Sequence, residues 1–154
     1  MFPFPLIWSA TMKLLPERMD SVPAKAMIHA IGLQESRFEY RRQINGPARG
    51  FWQFEPGDKA AIAGVLGHHA TRDAIRKVLS ALRYNDSWSV SYEAIEHNDI
   101  LACAYARCLL WTLPGKLPTV HEPDKGWQQY LDAWRPGRPH SRTWRTYFDQ
   151  AWET

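Results

Sequence analysis

The chain has 154 residues, 45% of them apolar and 23% charged. This composition suits one soluble domain with its own core rather than a disordered chain. The net charge of +3 and a sequence pI near 9.0 are too mild a basic excess to argue for nucleic acid alone. No stretch reads as a membrane span. The apolar opening Met1-Phe2-Pro3-Phe4-Pro5-Leu6-Ile7-Trp8 lacks the basic start and long apolar run of a signal peptide.

Helical periodicity dominates the sequence, and no alternating strand or internal repeat emerges. A first helix is expected over roughly residues 7–19. Ser21 caps the next, whose stripe of Ala24, Met27, Ile28 and Ile31 carries it to about Phe38. Residues 41–57 read as a loop rich in Gly, Pro and aromatics. Asp58 is placed to cap a short helix ending at Gly64 or Gly67, and Thr71 opens another with Ala74, Ile75, Val78, Leu79 and Leu82 on one face. Residues 99–112 form an apolar helix stopped by Pro114-Gly115. Asp124 begins a helix carrying Trp127, Tyr130, Leu131 and Trp134. Ser141 caps a last one with Trp144, Tyr147, Phe148, Ala151 and Trp152 on one side. The expectation is an all-α single domain over residues 1–154, with about six to eight helices.

The two cysteines, Cys103 and Cys108, are five apart on one expected helix, so their side chains diverge and do not pair within it. Two free thiols point to folding in a reducing compartment. The six histidines (His29, His68, His69, His97, His121 and His140) show no HExxH or Cys/His pairing, and no metal is expected. No Ser-His-Asp set or phosphate-binding Gly loop stands out.

Glu35 is the oddly placed carboxylate. It lies four residues beyond Ile31 and eight beyond Met27, on the apolar stripe of its helix. Removal from water there raises a carboxyl pKa and keeps part of it protonated near neutrality, which a general acid requires. On periodicity alone the commoner alternative is a Glu that turns to water or caps a loop N–H. The adjoining loop adds weight to the acid. Gly46, Pro47, Gly50 and Pro56 bracket Phe51-Trp52-Gln53-Phe54. Gly50 permits close backbone approach or a positive φ. Gln53 offers both a donor and an acceptor, suited to hydroxyl and acetamido groups. Indole faces such as Trp52 stack on sugar rings, although core packing accounts for most of the eight Trp.

Ala30-Ile31-Gly32-Leu33-Gln34-Glu35-Ser36-Arg37-Phe38 resembles the Glu-Ser motif of the soluble lytic transglycosylase, or goose-type lysozyme-like, superfamily. Ala48-Arg49-Gly50-Phe51-Trp52-Gln53-Phe54 resembles that family's Gly-x-x-Gln motif, 18 residues on from Glu35 to Gln53. The resemblance covers residues 24–60. It implies a lysozyme-like helical fold and cleavage of the β-1,4 bond after N-acetylmuramic acid in peptidoglycan, without metal or cofactor. Glu35 would protonate the glycosidic oxygen and then, as a base, draw a proton from the sugar 6-hydroxyl to give a 1,6-anhydro end. Ser36 would help fix the carboxylate and Gln53 would hold substrate.

The sequence departs from the family in two places. Where the family has Met two residues after the Gln, this chain has Glu55. Goose-type lysozymes carry an Asp there, thought to help position water, so Glu55 keeps hydrolysis open; a surface Glu before Pro56 is the alternative. The family's later Asn-rich segments are not recognisable. Tyr105 is the nearest candidate for the tyrosine that supports the acid, with Trp111 competing and a core role equally open.

The expected enzyme is therefore a peptidoglycan lytic transglycosylase or a lysozyme. It acts as a monomer on glycan strands, with no nucleic acid and no membrane insertion. The missing export signal, the size and the wall target point to a phage or prophage context. There the protein is made in the cytoplasm and reaches the wall through a holin-type membrane pore or as part of a virion. A non-catalytic wall-binding or virion protein on the same fold is the rival from another class. The basic and aromatic C-terminal stretch, Arg135, Arg138, His140, Arg142 and Arg145 among Trp134, Trp144, Tyr147 and Trp152, reads first as an amphipathic helix with its arginines in water. Anionic stem peptides or single-stranded nucleic acid are its alternatives as ligands.

Overall fold

The computed structural model describes residues 2–154. Helix α1 (Phe4–Met12) carries Pro5 in its first turn, where the missing N–H has no helical partner to lose. The helix expected over 7–19 is thus shorter and begins earlier. Only Glu17–Met19 turns again, as one 3-10 turn. Pro16 is the cause, because it pushes the residue before it out of the helical region.

Helix α2 (Val22–Ser36) starts as its sequence requires, with the Ser21 hydroxyl accepting from the Ala24 N–H at 3.2 Å. It stops two residues before the expected Phe38, because Arg37 and Phe38 both adopt positive φ, 55° and 54°. That reversal folds the Phe38 ring back over Gly32, where a Cβ would lie 2.1 Å from its Cζ. The ring then stacks on Phe2 at 4.5 Å and meets Phe51 and Trp52 edge-on at 5.6 and 5.5 Å. A bare glycine thus sets the corner between α2 and the loop after it.

Helix α3 (Ala61–Gly67) is preceded by Ala60 at its cap position, not by Asp58, and has no side-chain cap. Thr71 precedes α4 (Arg72–Leu82) but does not cap it; its hydroxyl donates to the Val65 carbonyl at 2.7 Å and ties α3 to α4. Helix α5 (Trp88–Ala94), capped by Ser87, is an element the periodicity did not reveal. Its seven residues are too few to show a stripe. Helix α6 (Asp99–Trp111) is capped by Asn98. Helix α7 (Pro123–Trp134) has Asp124 in its first turn, and α8 (Ser141–Trp152) starts on Ser141 itself, with no side-chain cap at His140.

Every residue from Leu101 to Leu110 is buried, so α6 is the axis of the fold. Helices α1, α2, α3, α4 and α7 all pack against it, while α8 lies along α2 and beside α7. Arg107 is buried within this axis. Its Nε donates to the Met19 carbonyl at 2.8 Å, and its guanidinium lies 5.1 Å from the Trp111 ring centre. Burial pushes its pKa down to about 10, so it stays charged at neutral pH. The same burial lifts both free thiols, Cys103 and Cys108, to about 12 and leaves them unreactive. The chain is an all-α single domain as expected, with eight α-helices and no strand among the described residues. Among the described residues, no helix is long and apolar enough to cross a membrane.

Because a Cβ at position 32 overlaps the Phe38 ring, Gly32→Ala is expected to destabilise the fold by about 2 kcal/mol. The loss comes despite a helix-propensity gain of about 1 kcal/mol. Urea unfolding of the variant measures it; unchanged or raised stability would contradict the packing described for this corner.

Candidate active site

The last turn of α2 delivers Glu35 to the surface with its stem still on the buried face, and the residue is half-buried. Its Oε2 accepts a hydrogen bond from the hydroxyl of Tyr130, which arrives from α7. Tyr130 is buried and held by aromatic neighbours. Its ring lies parallel to Trp144 at 5.5 Å and 10°, with Trp127 at 5.4 Å and Trp134 at 6.3 Å. Trp144 is fixed in turn by its indole N–H, which donates to the Pro123 carbonyl at 2.9 Å.

These surroundings decide how Glu35 titrates. Burial pushes its pKa up from 4.5 to about 7, the Tyr130 hydrogen bond pulls against that rise, and the negative charge of Glu55 adds to it. Burial, then the neighbouring Glu35 charge, raises the Tyr130 phenol, so it keeps its proton and remains a donor. Near neutrality Glu35 is split between acid and base forms while one of its oxygens is held in place.

The second half of the site is the loop from Arg41 to Phe54. Two isolated antiparallel bridges, Arg42 with Arg49 and Arg49 with Phe54, give it shape without forming a strand. Gly50 has a φ of 74°, and a Cβ there would sit 3.0 Å from the Ile95 carbonyl oxygen, so the loop passes directly over the start of the α5–α6 turn. Charge pairs clamp it there. Arg42 Nε donates to both Glu96 oxygens at 2.9 Å, Arg49 lies 3.3 Å from Glu96, and Arg41 pairs with Asp99 while covering the Phe51 ring at 4.3 Å. The Arg42 hydrogen bond holds the Glu96 carboxyl below its usual range. Gln53 takes a positive φ of 54°, and both its backbone N–H and its Nε2 donate to the Gly50 carbonyl, at 3.0 and 2.8 Å. Its side chain is therefore preset, half-buried, and its Oε1 makes no hydrogen bond among the described residues.

The other expected site residues have different places. The Ser36 hydroxyl makes no hydrogen bond to the carboxylate among the described residues. It is buried, donates to the Phe51 carbonyl at 2.7 Å and accepts from the Phe38 N–H at 3.1 Å, binding the end of α2 to the loop. Trp52 is a correction to the sequence reading: it has no exposed surface, and its indole N–H donates to the Ile28 carbonyl at 2.9 Å, so it is a core plug rather than a sugar platform. Tyr105 is a second correction. It is fully buried, and its hydroxyl is 2.6 Å from that of Ser91, so Tyr130 and not Tyr105 supports Glu35. Trp111 is half-buried, with the guanidinium groups of Arg18 and Arg107 over its ring. Glu55 is exposed just beyond Gln53.

The residues missed in the sequence are Tyr130, Trp127 and Trp134. Their spacing of three and four puts them on one helix face, a visible signal. Nothing in that spacing says that the face meets a carboxylate 95 residues earlier. Trp134 is half-buried, tilts over Phe54 at 6.2 Å and donates its indole N–H to the Trp52 carbonyl at 3.0 Å, so α7 is fastened to the loop as well as to the acid. His29 is also buried, stacked on Phe4 at 4.4 Å; burial, helped by Lys25, lowers its pKa to about 4 and keeps it neutral. No cluster of His, Cys, Asp or Glu among the described residues could hold a metal ion. Two open hollows, one beside Trp8 and Asp20 and one beside Leu66 and Trp88, are lined by neither Glu35 nor Gln53.

A carboxyl whose folded pKa is raised contributes its full stability below the unfolded value, and that stability is lost as pH rises through the folded value. For Glu35 the window runs from 4.5 to about 7. Glu35→Gln removes the ionisation, so its melting temperature should match the parent's near pH 4. At pH 8 it should exceed the parent's by an amount worth up to about 3 kcal/mol. Equal stability at both pH values would mean that Glu35 is not desolvated. Comparison with protein-family models, with characterised proteins and with solved structures finds no match to this chain.

Proposed function

We propose that the protein cleaves the glycan strand of peptidoglycan, with Glu35 as general acid and then general base. One observation carries the reading: a half-buried carboxylate with a pKa near 7 is held at one oxygen by a buried tyrosine, beside a rigid loop presenting Gln53. The two motif segments and their spacing favour the lytic transglycosylase or goose-type lysozyme class and a lysozyme-like arrangement of the helices.

In this mechanism the Tyr130 hydrogen bond occupies Oε2 and leaves Oε1 to carry the proton to the glycosidic oxygen. The bond to the departing sugar breaks as that oxygen takes the proton, and the substrate's own acetamido group stabilises the cationic sugar left behind. The Glu35 carboxylate, now ionised, is the form that the Tyr130 hydrogen bond favours. It then takes the proton of the sugar 6-hydroxyl as that oxygen closes on C1, which restores the acid. A group that must serve as acid and then base works best with a pKa near the operating pH, and the opposition of burial and hydrogen bond sets that value. Gln53 offers its free carbonyl oxygen to an acetamido N–H or a hydroxyl, and Trp134 and Trp127 offer half-exposed ring faces to sugar.

Hydrolysis is the second reading, favoured by Glu55, whose charge Glu35 feels across the site. With a water between the two carboxylates, Glu55 would act as the base of an inverting reaction. The phage or prophage context and delivery to the wall through a membrane pore or a virion belong to the same proposal.

Zymograms on peptidoglycan should clear with the parent chain and lose at least about a hundredfold of activity with Glu35→Gln. Equal clearing by both would remove Glu35 from the chemistry and leave a wall-binding protein as the better account. Activity of the parent should fall as pH rises above about 7, where the acid form is lost. Mass spectrometry of the released fragments should find 1,6-anhydro ends. Reducing ends, abolished by Glu55→Gln, would replace transglycosylation by hydrolysis.

A further inference from the structure

The turn between α7 and α8 holds a basic group that the cleavage chemistry does not use. Arg135, Arg138 and Arg142 are exposed, and none pairs with a carboxylate among the described residues. Their neighbour Arg145 differs, since it is engaged by Asp149 one turn along α8 at 3.2 Å. The turn is short and stiff. Arg135 ends α7 with a φ of 49°, and Pro136 and Pro139 restrict the backbone between it and α8.

Both ends of this turn are fastened to the site. On the near side, Trp134 donates to the Trp52 carbonyl in the Gln53 loop at 3.0 Å. On the far side, Gln34, the residue before Glu35, donates to the His140 carbonyl at 2.9 Å, and the Thr143 hydroxyl donates to Gln34 Oε1 at 2.9 Å. Arg135 and Arg138 are therefore carried on a connection tied at both ends to the two halves of the site, and Arg142 follows in the first turn of α8.

We infer that this turn binds the free carboxylates of the stem peptides on the glycan strand, so that the site prefers peptide-bearing over naked strands. The inference rests on the peptidoglycan reading above. A strand without peptides carries one carboxylate per disaccharide, on the lactyl group of N-acetylmuramic acid, whereas a stem peptide ties that carboxyl up as an amide and presents carboxylates of its own farther out from the scissile bond. Guanidinium groups match carboxylates in a planar, two-point fashion, which lysines do not. Rim charges of this kind act on association and selectivity more than on the chemical step, and salt screens them.

The test uses the full chain carrying Glu35→Gln, so that strands are bound and not cut, with and without R135Q/R138Q/R142Q. Binding is measured at low and high salt to peptide-bearing strands, to the same strands stripped of peptide by an amidase, and to a single-stranded oligonucleotide. The expected result is about tenfold tighter binding to peptide-bearing strands at low salt, a size that three exposed ion pairs can supply. The triple variant should lose that preference and bind peptide-bearing strands no more tightly than stripped ones, while its melting temperature stays unchanged. Equal affinity for both kinds of strand, or a preference that survives in the triple variant, would overturn the inference and leave the muramidase reading standing. No binding to either strand would overturn both. Arginine-dependent binding to the oligonucleotide that exceeds binding to peptide-bearing strands would replace the carboxylate partner by nucleic acid.

Discussion

A carboxylate taken out of water rises in pKa, a hydrogen-bond donor brings it down, and Glu35 sits where the two oppose each other. Burial along α2 supplies the first effect and the Tyr130 hydroxyl the second. Either alone gives a group of little use near neutrality: a carboxyl locked in its acid form, or one always ionised. Their balance depends on Tyr130 staying where it is, and much of the surrounding architecture bears on that position. Trp144 lies flat against the Tyr130 ring, and α8, which carries it, packs along α2 as well as beside α7.

The loop that completes the site is rigid for a different reason. Its backbone has few regular partners, and two isolated bridges give it little order of their own. Order comes from charge and close contact: Arg41, Arg42 and Arg49 reach Asp99 and Glu96, Gly50 lies against the Ile95 carbonyl, and Ser36 ties the loop back to α2. The corner at Gly32 and Phe38 joins these parts, since the same ring touches α2, Phe51 and Trp52. The acid and the loop are thus fixed to each other through at least two routes, one through Ser36 and one through Trp134 and α7.

Local signals made much of this readable in the sequence. Ser21 caps the helix it precedes, the apolar run at 99–112 is the central helix, and Gly50 takes the positive φ expected of it. The failures at the site share one cause, which is that tertiary contact overrides residue type. Trp52 has the right chemistry for a sugar platform but falls beneath the loop, where its N–H finds the Ile28 carbonyl. Tyr105 lies on the one helix buried all round, so its hydroxyl meets Ser91 and not the acid. Tyr130 was visible only as one aromatic among several on an amphipathic helix; its role depends on a pairing across 95 residues that no local pattern encodes. The boundary errors at Met12 and Ser36 trace to single residues, Pro16 and the left-handed Arg37, acting on the backbone.

The central claim is the opposition of burial and hydrogen bond at Glu35, and a side-chain titration reads it most directly. Carboxyl carbon shifts of Glu35, followed by NMR from pH 3 to pH 9, should give a midpoint near 7 in the parent chain. In Tyr130→Phe the midpoint should move higher still, because the donor that favours the ionised form is gone. A parent midpoint near 4.5, or a midpoint in Tyr130→Phe that stays put or falls, would contradict the account.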